Sequence, residues 1–439
     1  MCVKHLVLVG LVSLLIFSAA VETLAESQPQ VPDYLQASQK DLQWWRDAKF
    51  GLFICWGPVT LTGEEIGWSR AGERRAFSGT GTTPVEVYDN LYKQFNPTEF
   101  DARQWMKLAK SAGVKYIIFL TKHHDGFCLF DTKQTDYNIM NSPFGRDITK
   151  EIAEACHKEG IKLGIYFSAV DWYDPDFFIT MAQPTVYAKS QARFLDRFKG
   201  ELKELCTNYG NVSILWFDLG WPDLYDSAKT FKMLRELQPG ILINNRLSRP
   251  GDFGTPEQTI GGFDNKRPWE SCITIGTQWT WKPNDTVKST KECIQTLVRC
   301  VVGDGNLALN VSPTSSGEIE PVPSQRLKEM GAWLKKYGKS IYSTRGGPFI
   351  LGKVGGSVYR DKRIYLHILE WPGDTLKLPV IKPKIKKVQA LTGGDVTWKQ
   401  TDAGIEISVP KDKRDDIDTI IMLELDGPAA GIEPIKADG

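Results

Sequence analysis

Between residues 40 and 345, apolar runs alternate with amphipathic segments, and this alternation constrains the fold more than any other feature of the chain. The apolar runs predict strands at 49–57, 116–124, 161–172, 212–221, 241–246 and 306–313. The segments between them carry apolar residues at helical spacing and predict helices at 101–113, 148–160, 186–210, 228–240, 291–305 and 324–338. Apolar strands that alternate with helices form a parallel sheet that is buried on both faces.

The large number of strand–helix units favours a (β/α)8-type barrel over an open sheet, so residues 40–345 are predicted to form a barrel catalytic domain. No G-x-G-x-x-G motif follows the first strand, which counts against a dinucleotide-binding fold. After residue 345 the chain has short alternating runs, such as TLKLPV and GIEISVP, separated by Gly, Pro and Asp. This second pattern predicts an all-β sandwich domain at 346–430.

The N-terminal segment differs from both domains. It has a short basic start, an apolar run at 6–20 and a small residue at Ala25. This pattern predicts a secretory signal peptide at 1–25 and a polar linker at 26–39. A membrane anchor is the alternative, but the run is short for a spanning helix. We therefore expect export to the periplasm or the extracellular space, or to the lysosome in a eukaryote, with no membrane partner after cleavage.

The composition excludes some partners and favours another. Lys plus Arg number 54 and Asp plus Glu number 53, so a net charge of +1 makes nucleic acid a poor partner. The chain has 14 Trp, whose faces stack well on sugar rings, and a glycan or glycoside substrate is expected. The eight Cys show neither metal-ligand spacing nor a disulfide framework, and most lie in apolar settings. A homo-oligomer is compatible with the sequence, which does not define the oligomeric state.

Polar and aromatic side chains follow several predicted strands, at the end of a barrel where active sites lie. After the successive strands come Cys55 and Trp56, then Lys122, His123, His124 and Asp125, then Ser168, Asp171 and Trp172, then Trp216, Asp218 and Trp221, then Asn244, Asn245 and Arg246. Later segments with similar residues are 251–258, 269–276 and 278–281. Each residue also has an ordinary structural explanation, such as an ion pair between Asp218 and Arg246. Their convergence on one face favours an active site.

The chemistry of this site can be narrowed by elimination. The pair His123 and His124 with a nearby Asp suggests a metal site, but adjacent strand residues point to opposite faces unless the strand has ended. No H-E-x-x-H motif and no G-x-S-x-G motif occurs. A carboxylate pair in an aromatic pocket remains, and such a pair hydrolyses glycosides. Asp218 would be the nucleophile, and Glu257 or Glu270 would be the acid.

Several stretches match one enzyme family. The most specific is FNPTEFDARQWMKLAKSAGVKYIIFLTKHHDGFCLFDTKQTDYNI, which contains the histidine pair. WWRDAKFGLFICWG and GEEIGWSR precede it, and GRDITKEIAEACHKEGIKLGIYFS, WFDLGW and GDGNLALNVSP follow it. Together they resemble glycoside hydrolase family 29, the α-L-fucosidases, over roughly residues 40–345. The resemblance implies an exo-acting, retaining hydrolase that removes terminal α-L-fucosyl residues from glycans through a covalent intermediate, without a metal or another cofactor.

The resemblance also implies roles for individual residues. Asp218 in WFDLGW matches the nucleophile. The acid/base position is less regular in the family: GDFGTPE points to Glu257, and PWESC supplies Glu270 as the alternative. His123 and His124 match pocket histidines that hydrogen-bond sugar hydroxyls.

Further substrate contacts are implied around these residues. Glu65 and Trp68 in GEEIGWSR match the first sugar-binding loop. Tyr166 or Phe167 would form part of the apolar wall for the C6 methyl group of the sugar. The tryptophans that flank the nucleophile, Trp216 and Trp221, are further candidates for contact with the substrate.

The chain departs from the family at Cys55, because F-x-x-H-W-G is usual where this sequence reads FICWG. A thiol is a weaker donor than an imidazole, and a sugar hydroxyl left without a partner costs about 1–3 kcal/mol. The pocket could therefore prefer an α-L-galactoside or a substituted fucoside. A non-catalytic carbohydrate-binding relative is a third alternative, against which the presence of Asp218 and a nearby glutamate counts.

Overall fold

The computed structural model describes residues 35–72, 79–177, 188–220, 224–247 and 251–437. The predicted signal peptide, most of the predicted linker and Trp221 lie outside these residues. Within the described ranges, no helix is long and apolar enough to cross a membrane. The seven cysteines between Cys55 and Cys300 are all free and buried, as their apolar settings indicate.

Seven parallel strands form the first sheet, in the order β5-β4-β3-β2-β1-β7-β6. They are β1 Phe50–Ile54, β2 Tyr116–Lys122, β3 Lys162–Ser168, β4 Val212–Asp218, β5 Leu242–Ile243, β6 Glu270–Thr274 and β7 Asn306–Val311. Residues 253–257 connect the two edge strands through isolated parallel bridges from Asn244 to Phe253, from Gly254 to Trp269 and from Glu257 to Cys272. The curled sheet and this segment form the predicted (β/α)8-type barrel.

No strand is predicted over β6, because its residues belong to one of the polar segments expected at the barrel mouth. Four of the five residues in ESCIT are polar or small, yet every one is buried. The polar groups bond inside the fold; for example, the Ser271 hydroxyl donates to Thr259 O at 2.8 Å. A strand whose buried side chains are polar has no apolar run, so its hydrophobic pattern did not reveal it.

Helices follow the predicted pattern with small shifts in their ends. Those that the structure describes are α1 Gln39–Ala48, α2 Val85–Tyr88, α3 Ala102–Ser111, α4 Ile148–Glu159, α5 Ala188–Thr207, α6 Ser227–Leu237, α7 Thr290–Val302 and α8 Pro321–Tyr337. Asp101, Asp147 and Ser289 cap α3, α4 and α7 by accepting backbone N–H bonds, which the first turn of a helix leaves unpaired. α1 was not predicted, and its Trp45 carbonyl accepts from Asn306 at the amino end of β7.

The C-terminal part forms two antiparallel-rich sheets around a second hydrophobic core, as predicted for a sandwich. The larger sheet has the order β12-β15-β10-β9-β8-β16, and the smaller has the order β11-β14-β13. Their strands are β8 Arg345–Ile350, β9 Gly355–Arg360, β10 Arg363–Ile368, β11 Leu376–Leu378, β12 Ile385–Ala390, β13 Thr397–Thr401, β14 Gly404–Ser408, β15 Thr419–Leu425 and β16 Ile435–Lys436. β16 lies beyond residue 430, the predicted end of this domain.

Side chains of alternate strand residues fill the barrel interior in layers. Tyr116 and Glu270 begin their strands and lie near the amino end, while Tyr166 and Asp218 lie near the carboxyl end. Gly51 on β1 is required by close packing, because a Cβ there would lie 2.3 Å from the Tyr116 ring. The layers therefore place one carboxyl group at each end of the barrel.

Candidate active site

Asp218 is the last residue of β4, and its carboxylate faces the barrel mouth. The strand VSILWFD is buried throughout, and a period of two puts Trp216 and Asp218 on the inward face. Tyr166 Oη donates to Asp218 Oδ2 at 2.8 Å, and Arg246 Nη1 donates to Oδ1 at 2.5 Å. The side chain is 12% exposed, so it is held firmly and still reachable from the pocket.

Arg246 joins the two predicted catalytic carboxylates. Its Nη2 donates to Glu257 Oε2 at 2.7 Å, while its Nη1 holds Asp218, and its guanidinium lies 4.5 Å from the centroid of the Trp216 ring. Burial acts to lower the pKa of Arg246, but the nearby acidic groups, with Asp218 first and Glu257 among them, together outweigh burial and the pKa is raised. One planar guanidinium therefore bonds to both carboxylates and keeps them close together. Retaining glycosidases likewise need two carboxyl groups close together, about 5–5.5 Å apart.

The histidine pair lies on one side of the pocket, contrary to the alternation expected within a strand. β2 ends at Lys122, so His123 and His124 are free to turn the same way, and their ring centroids are 3.9 Å apart. His124 Nδ1 lies 2.7 Å from Ser168 Oγ, and that hydroxyl donates to Val170 O at 2.6 Å. Nδ1 must therefore be the donor to Ser168, which leaves His124 Nε2 as an acceptor.

Both histidines are neutral. Burial lowers the pKa of His124 to about 3, with a further contribution from Arg246, and burial also lowers the pKa of His123 well below its ordinary value. A neutral imidazole has one donor and one acceptor nitrogen, which suits a sugar hydroxyl that both donates and accepts. The His123 ring also stacks on Tyr166, with an interplanar angle of 10°.

The positions of the same residues show whether they could bind a metal ion. His123, His124 and Asp218 offer ligand atoms within 4.8 Å of one another, so the argument from strand alternation does not exclude a shared ion. Both Asp218 oxygens, however, already accept hydrogen bonds from Tyr166 and Arg246. The positive guanidinium 2.5 Å from Asp218 Oδ1 opposes binding of a cation there.

The pocket brings together most of the predicted site residues. Its walls are Phe53, Cys55, Trp68, His123, His124, Tyr166, Trp216, Asp218, Leu219, Arg246, Glu257, Cys272 and Trp279. Phe53 and Tyr166 meet edge to face, and Tyr166 stacks on Trp216. Phe167, the alternative to Tyr166, points away from the pocket into the helix layer, where its ring packs against Phe198.

Cys55 follows β1 and lies in the pocket wall, as predicted for the end of that strand. Its N–H donates to Asn310 Oδ1 at 3.2 Å, which ties the turn to β7. Burial, followed by the neighbouring Glu65 carboxylate, raises the pKa of the Cys55 thiol well above its ordinary value. The pocket wall therefore presents a neutral thiol at this position.

Glu65 is placed differently from the predicted sugar contact, because other groups of the protein occupy its carboxylate. Oε2 accepts from Trp279 N–H at 2.8 Å, and Oε1 accepts from the N–H and hydroxyl of Thr280, both at 3.2 Å. It is absent from the described residues that line the pocket. Glu65 instead holds Trp279, which does line the pocket, in place.

Glu270, the alternative acid/base, begins β6 near the amino end of the barrel and does not line the pocket. It is fully buried, and it accepts hydrogen bonds from Tyr116 Oη and, at 3.3 Å, from Trp216 Nε1. Burial raises the pKa of this carboxyl group to about 7. It therefore lies beneath Trp216, whereas Glu257 lies at the mouth with a side chain that is 41% exposed.

Comparisons with known proteins agree with this geometry. Residues 16–339 match the family model described as Alpha-L-fucosidase. The chain belongs to the α-L-fucosidase family. Human tissue α-L-fucosidase is 27% identical over 437 residues, which cover 92% of this chain and 93% of the human protein. The match confirms the family that the sequence motifs indicated, and with it membership among the glycoside hydrolases.

Two solved structures extend the family comparison. α-L-Fucosidase isoenzyme 1 from Paenibacillus thiaminolyticus is 34% identical, with a TM-score of 0.77 over 88% of this chain and 99% of that one. An α-L-fucosidase from Bacteroides thetaiotaomicron is 29% identical, with a TM-score of 0.78 over 89% of this chain and 97% of that one. The latter was captured as a covalent intermediate with 2-fluoro-fucosyl fluoride, in a variant with Gln in place of a Glu.

Proposed function

We propose that this chain is an exo-acting, retaining α-L-fucosidase that hydrolyses terminal α-L-fucosyl residues of glycans through a covalent glycosyl-enzyme. The observation that carries the proposal is the arrangement Asp218–Arg246–Glu257 at the barrel mouth, in a pocket lined by neutral histidines and tryptophans. Membership of the α-L-fucosidase family supports the choice of sugar.

Asp218 is the nucleophile in this proposal. Its carboxylate ends a rigid, buried strand, and two donors fix its orientation, so it needs little rearrangement to attack the anomeric carbon. Tyr166 and Arg246 also stabilise its negative charge before attack. As the bond to the sugar forms, that charge is lost, and the two donors become available to oxygens of the sugar.

Glu257 is the acid/base. Its side chain lies at the mouth beside the nucleophile, and Arg246 bonds to both carboxylates. Glu257 gives a proton to the leaving oxygen in the first step and takes one from the attacking water in the second. Its exposure at the mouth gives the leaving group and the incoming water a route to solvent.

The remaining walls select the sugar. His123 and His124 exchange hydrogen bonds with hydroxyl groups, and Trp68, Tyr166 and Trp216 supply apolar surface for ring carbons and the C6 methyl group. The pocket is shallow, because it ends at the layer that contains Phe53 and Trp216. A shallow pocket favours a sugar at the end of a glycan. This is the basis for exo action.

The side chain at Cys55 favours a second class of substrate, which the same mechanism would hydrolyse. Because a thiol is smaller than an imidazole, the wall at Cys55 leaves room for a substituent, as in an α-L-galactoside or a substituted fucoside. The pair of carboxylates joined by Arg246 counts against a non-catalytic carbohydrate-binding relative. Such a protein has no need of two carboxylates fixed in this geometry.

We propose that the chain is exported, with cleavage near Ala25, to the periplasm or the extracellular space, or to the lysosome in a eukaryote. The basic start and the apolar run at 6–20 support this. A homo-oligomer remains compatible with the sequence.

A substrate screen tests the proposed function. The purified protein would be incubated with 4-nitrophenyl α-L-fucoside and with a panel of other nitrophenyl glycosides, each with and without EDTA. We expect α-L-fucoside to be hydrolysed fastest and EDTA to have no effect. Faster hydrolysis of the α-L-galactoside would favour the second candidate, and no hydrolysis of any glycoside would contradict the proposed function.

A further inference from the structure

The loop at residues 63–70, here called the Trp68 loop, packs directly against the histidine pair. Gly67 has a φ of +65°, and a Cβ there would lie 2.6 Å from His123 Nδ1, so no other residue permits this close approach without displacement. The Trp68 ring meets His124 edge to face at 5.4 Å. The position of this loop therefore decides where Trp68 lies and how far His123 can move.

A chain of hydrogen bonds holds the loop from behind. Gly67 N–H donates to Tyr88 Oη at 2.7 Å, and Tyr88 Oη donates to Asp125 Oδ2 at 2.6 Å. Asp125 Oδ1 accepts from Phe127 N–H at 3.2 Å. Tyr88 and Asp125 are 2% and 3% exposed, so water does not compete freely for these bonds.

We propose that Asp125 is a positioning residue that acts through Tyr88 on Gly67 and so fixes Trp68 and His123 against the bound sugar. This inference rests on the proposed function, because it assigns Trp68 and His123 to sugar binding. Asp125 itself lines no part of the pocket in the described residues and has no contact with the reacting atoms.

The direction of these hydrogen bonds explains why a carboxylate is needed. A phenol has one hydrogen to donate, and if Tyr88 donated it elsewhere its lone pairs would be misaligned for Gly67 N–H. A carboxylate accepts but does not donate, so it fixes the direction of the Tyr88 hydroxyl. Burial raises the pKa of Asp125 to about 6, against the hydrogen bonds from Tyr88 and Phe127, and the group is thus ionised at neutral pH.

A second link fastens the same loop to the same short helix. Arg70 donates to both carboxylate oxygens of Asp89, at 2.6 and 2.7 Å, and Asp89 directly follows Tyr88. These two links hold the loop against the helix, and the Gly67 contact is the one that adjoins the histidines. Loss of the Tyr88 hydroxyl should loosen the sugar-binding end of the loop without detaching it.

The test is a double-mutant cycle between Tyr88→Phe and Trp68→Ala, measured with 4-nitrophenyl α-L-fucoside. We expect Tyr88→Phe to raise KM about tenfold and to change kcat less than about threefold, since the loop binds the sugar and does not attack it. Asp125→Asn should raise KM similarly. Tyr88 and Phe127 each donate to a different oxygen of Asp125, and an amide has only one acceptor oxygen. In the Trp68→Ala background, Tyr88→Phe should raise KM by a smaller factor, because one of the two groups that it positions is gone.

Tyr92→Phe is the matched control, since it removes a phenol hydroxyl from a neighbouring ring that takes no part in this chain of hydrogen bonds. An unchanged KM in both Tyr88→Phe and Asp125→Asn, or the same rise in KM with and without Trp68, would overturn the proposal. If the wild type hydrolyses no fucoside, the proposed function fails, and hydrogen exchange decides the positioning role separately. Faster amide exchange confined to residues 63–70 in Tyr88→Phe would support that role, and unchanged exchange would overturn it.

Discussion

Two carboxyl groups lie in the interior of the same barrel, one at each end, and each accepts a hydrogen bond from a tyrosine. At the carboxyl end Tyr166 donates to Asp218, and at the amino end Tyr116 donates to Glu270. Trp216 lies between them, since it donates to Glu270 and precedes Asp218 by two residues on β4. Residue type and tyrosine partner are thus nearly the same at both ends.

The surroundings make the two groups different. Asp218 has the guanidinium of Arg246 at 2.5 Å and a second carboxylate beyond it, and all three line a pocket. Glu270 has neutral donors only among its described hydrogen-bond partners, and burial raises its pKa to about 7. A charged partner and an open pocket equip Asp218 for chemistry, whereas Glu270 is placed to join strands at the closed end.

The largest expected effect is at Asp218. Asp218→Asn keeps the size of the side chain and removes the attacking carboxylate, so we expect kcat to fall by at least about 10⁴ while the protein folds normally. Steady-state kinetics and circular dichroism would check both statements. Activity within about threefold of the wild type would show that Asp218 is not the nucleophile. The two ends of the barrel would then not differ in function as described.

Glu257 should give the next largest effect, and one that azide can partly reverse. Glu257→Ala should slow hydrolysis of a nitrophenyl fucoside by about 10²–10³, mainly because the second step lacks its general base. Azide needs no such base to attack the glycosyl-enzyme, so added azide should raise the rate and yield a fucosyl azide. Glu270→Ala serves as the comparison, and azide rescue of that variant instead would make Glu270 the acid/base.

Cys55→His should give an intermediate effect on binding at the mouth. An imidazole restores a strong hydrogen-bonding partner for the sugar, and we expect kcat/KM on simple α-L-fucosides to improve roughly tenfold, equivalent to about 1.4 kcal/mol. If Cys55 makes room for a substituent, the same variant should lose activity on α-L-galactosides. Unchanged kcat/KM on both substrates would show that Cys55 does not contact the sugar.

Glu270→Gln should have the smallest effect on activity, within about threefold, and a clear effect on stability. The pKa of Glu270 is raised to about 7 in the fold, above about 4.3 in an unfolded chain, so its stabilising contribution is complete below about pH 4 and is lost as the pH rises through 7. The wild type should therefore lose about 3 kcal/mol of unfolding free energy relative to Glu270→Gln between pH 4 and pH 8. Chemical denaturation at several pH values would measure the unfolding free energy of both proteins. The same dependence of that free energy on pH in the two proteins would contradict this prediction.

Much of the barrel could be predicted because the sequence patterns of its strands and helices repeat within a few neighbouring residues. Apolar strands and amphipathic helices show their period within a few residues, and the end of a strand such as β4 fixes where Asp218 lies. β6 could not be predicted, because its sequence lacks an apolar run. Its buried residues are mostly polar or small, and their polar groups form hydrogen bonds with other segments of the chain.

The parts of the site that sequence could not give depend on distant contacts. Glu65 reads as a sugar contact in its own motif, but its backbone partner Trp279 lies 214 residues away. Arg246 is predicted at the end of a strand, yet its link to Glu257 depends on the pairing of residues 253–257 with distant strands, such as the bridge from Glu257 to Cys272 on β6. The sequence offered only a hint there, namely a cation at the mouth among carboxylates.

Capture of the covalent intermediate tests the central claim most directly. A 2-fluoro-fucosyl fluoride has a good leaving group, and its 2-fluoro substituent disfavours the oxocarbenium-like transition states, so the glycosyl-enzyme should accumulate. The account predicts one added 2-fluoro-fucosyl group per chain in intact-mass spectra, located on Asp218 by peptide mapping and absent from Asp218→Asn. A label on Glu257 or Glu270, or rapid turnover of 4-nitrophenyl α-L-fucoside with no label on any residue, would contradict it.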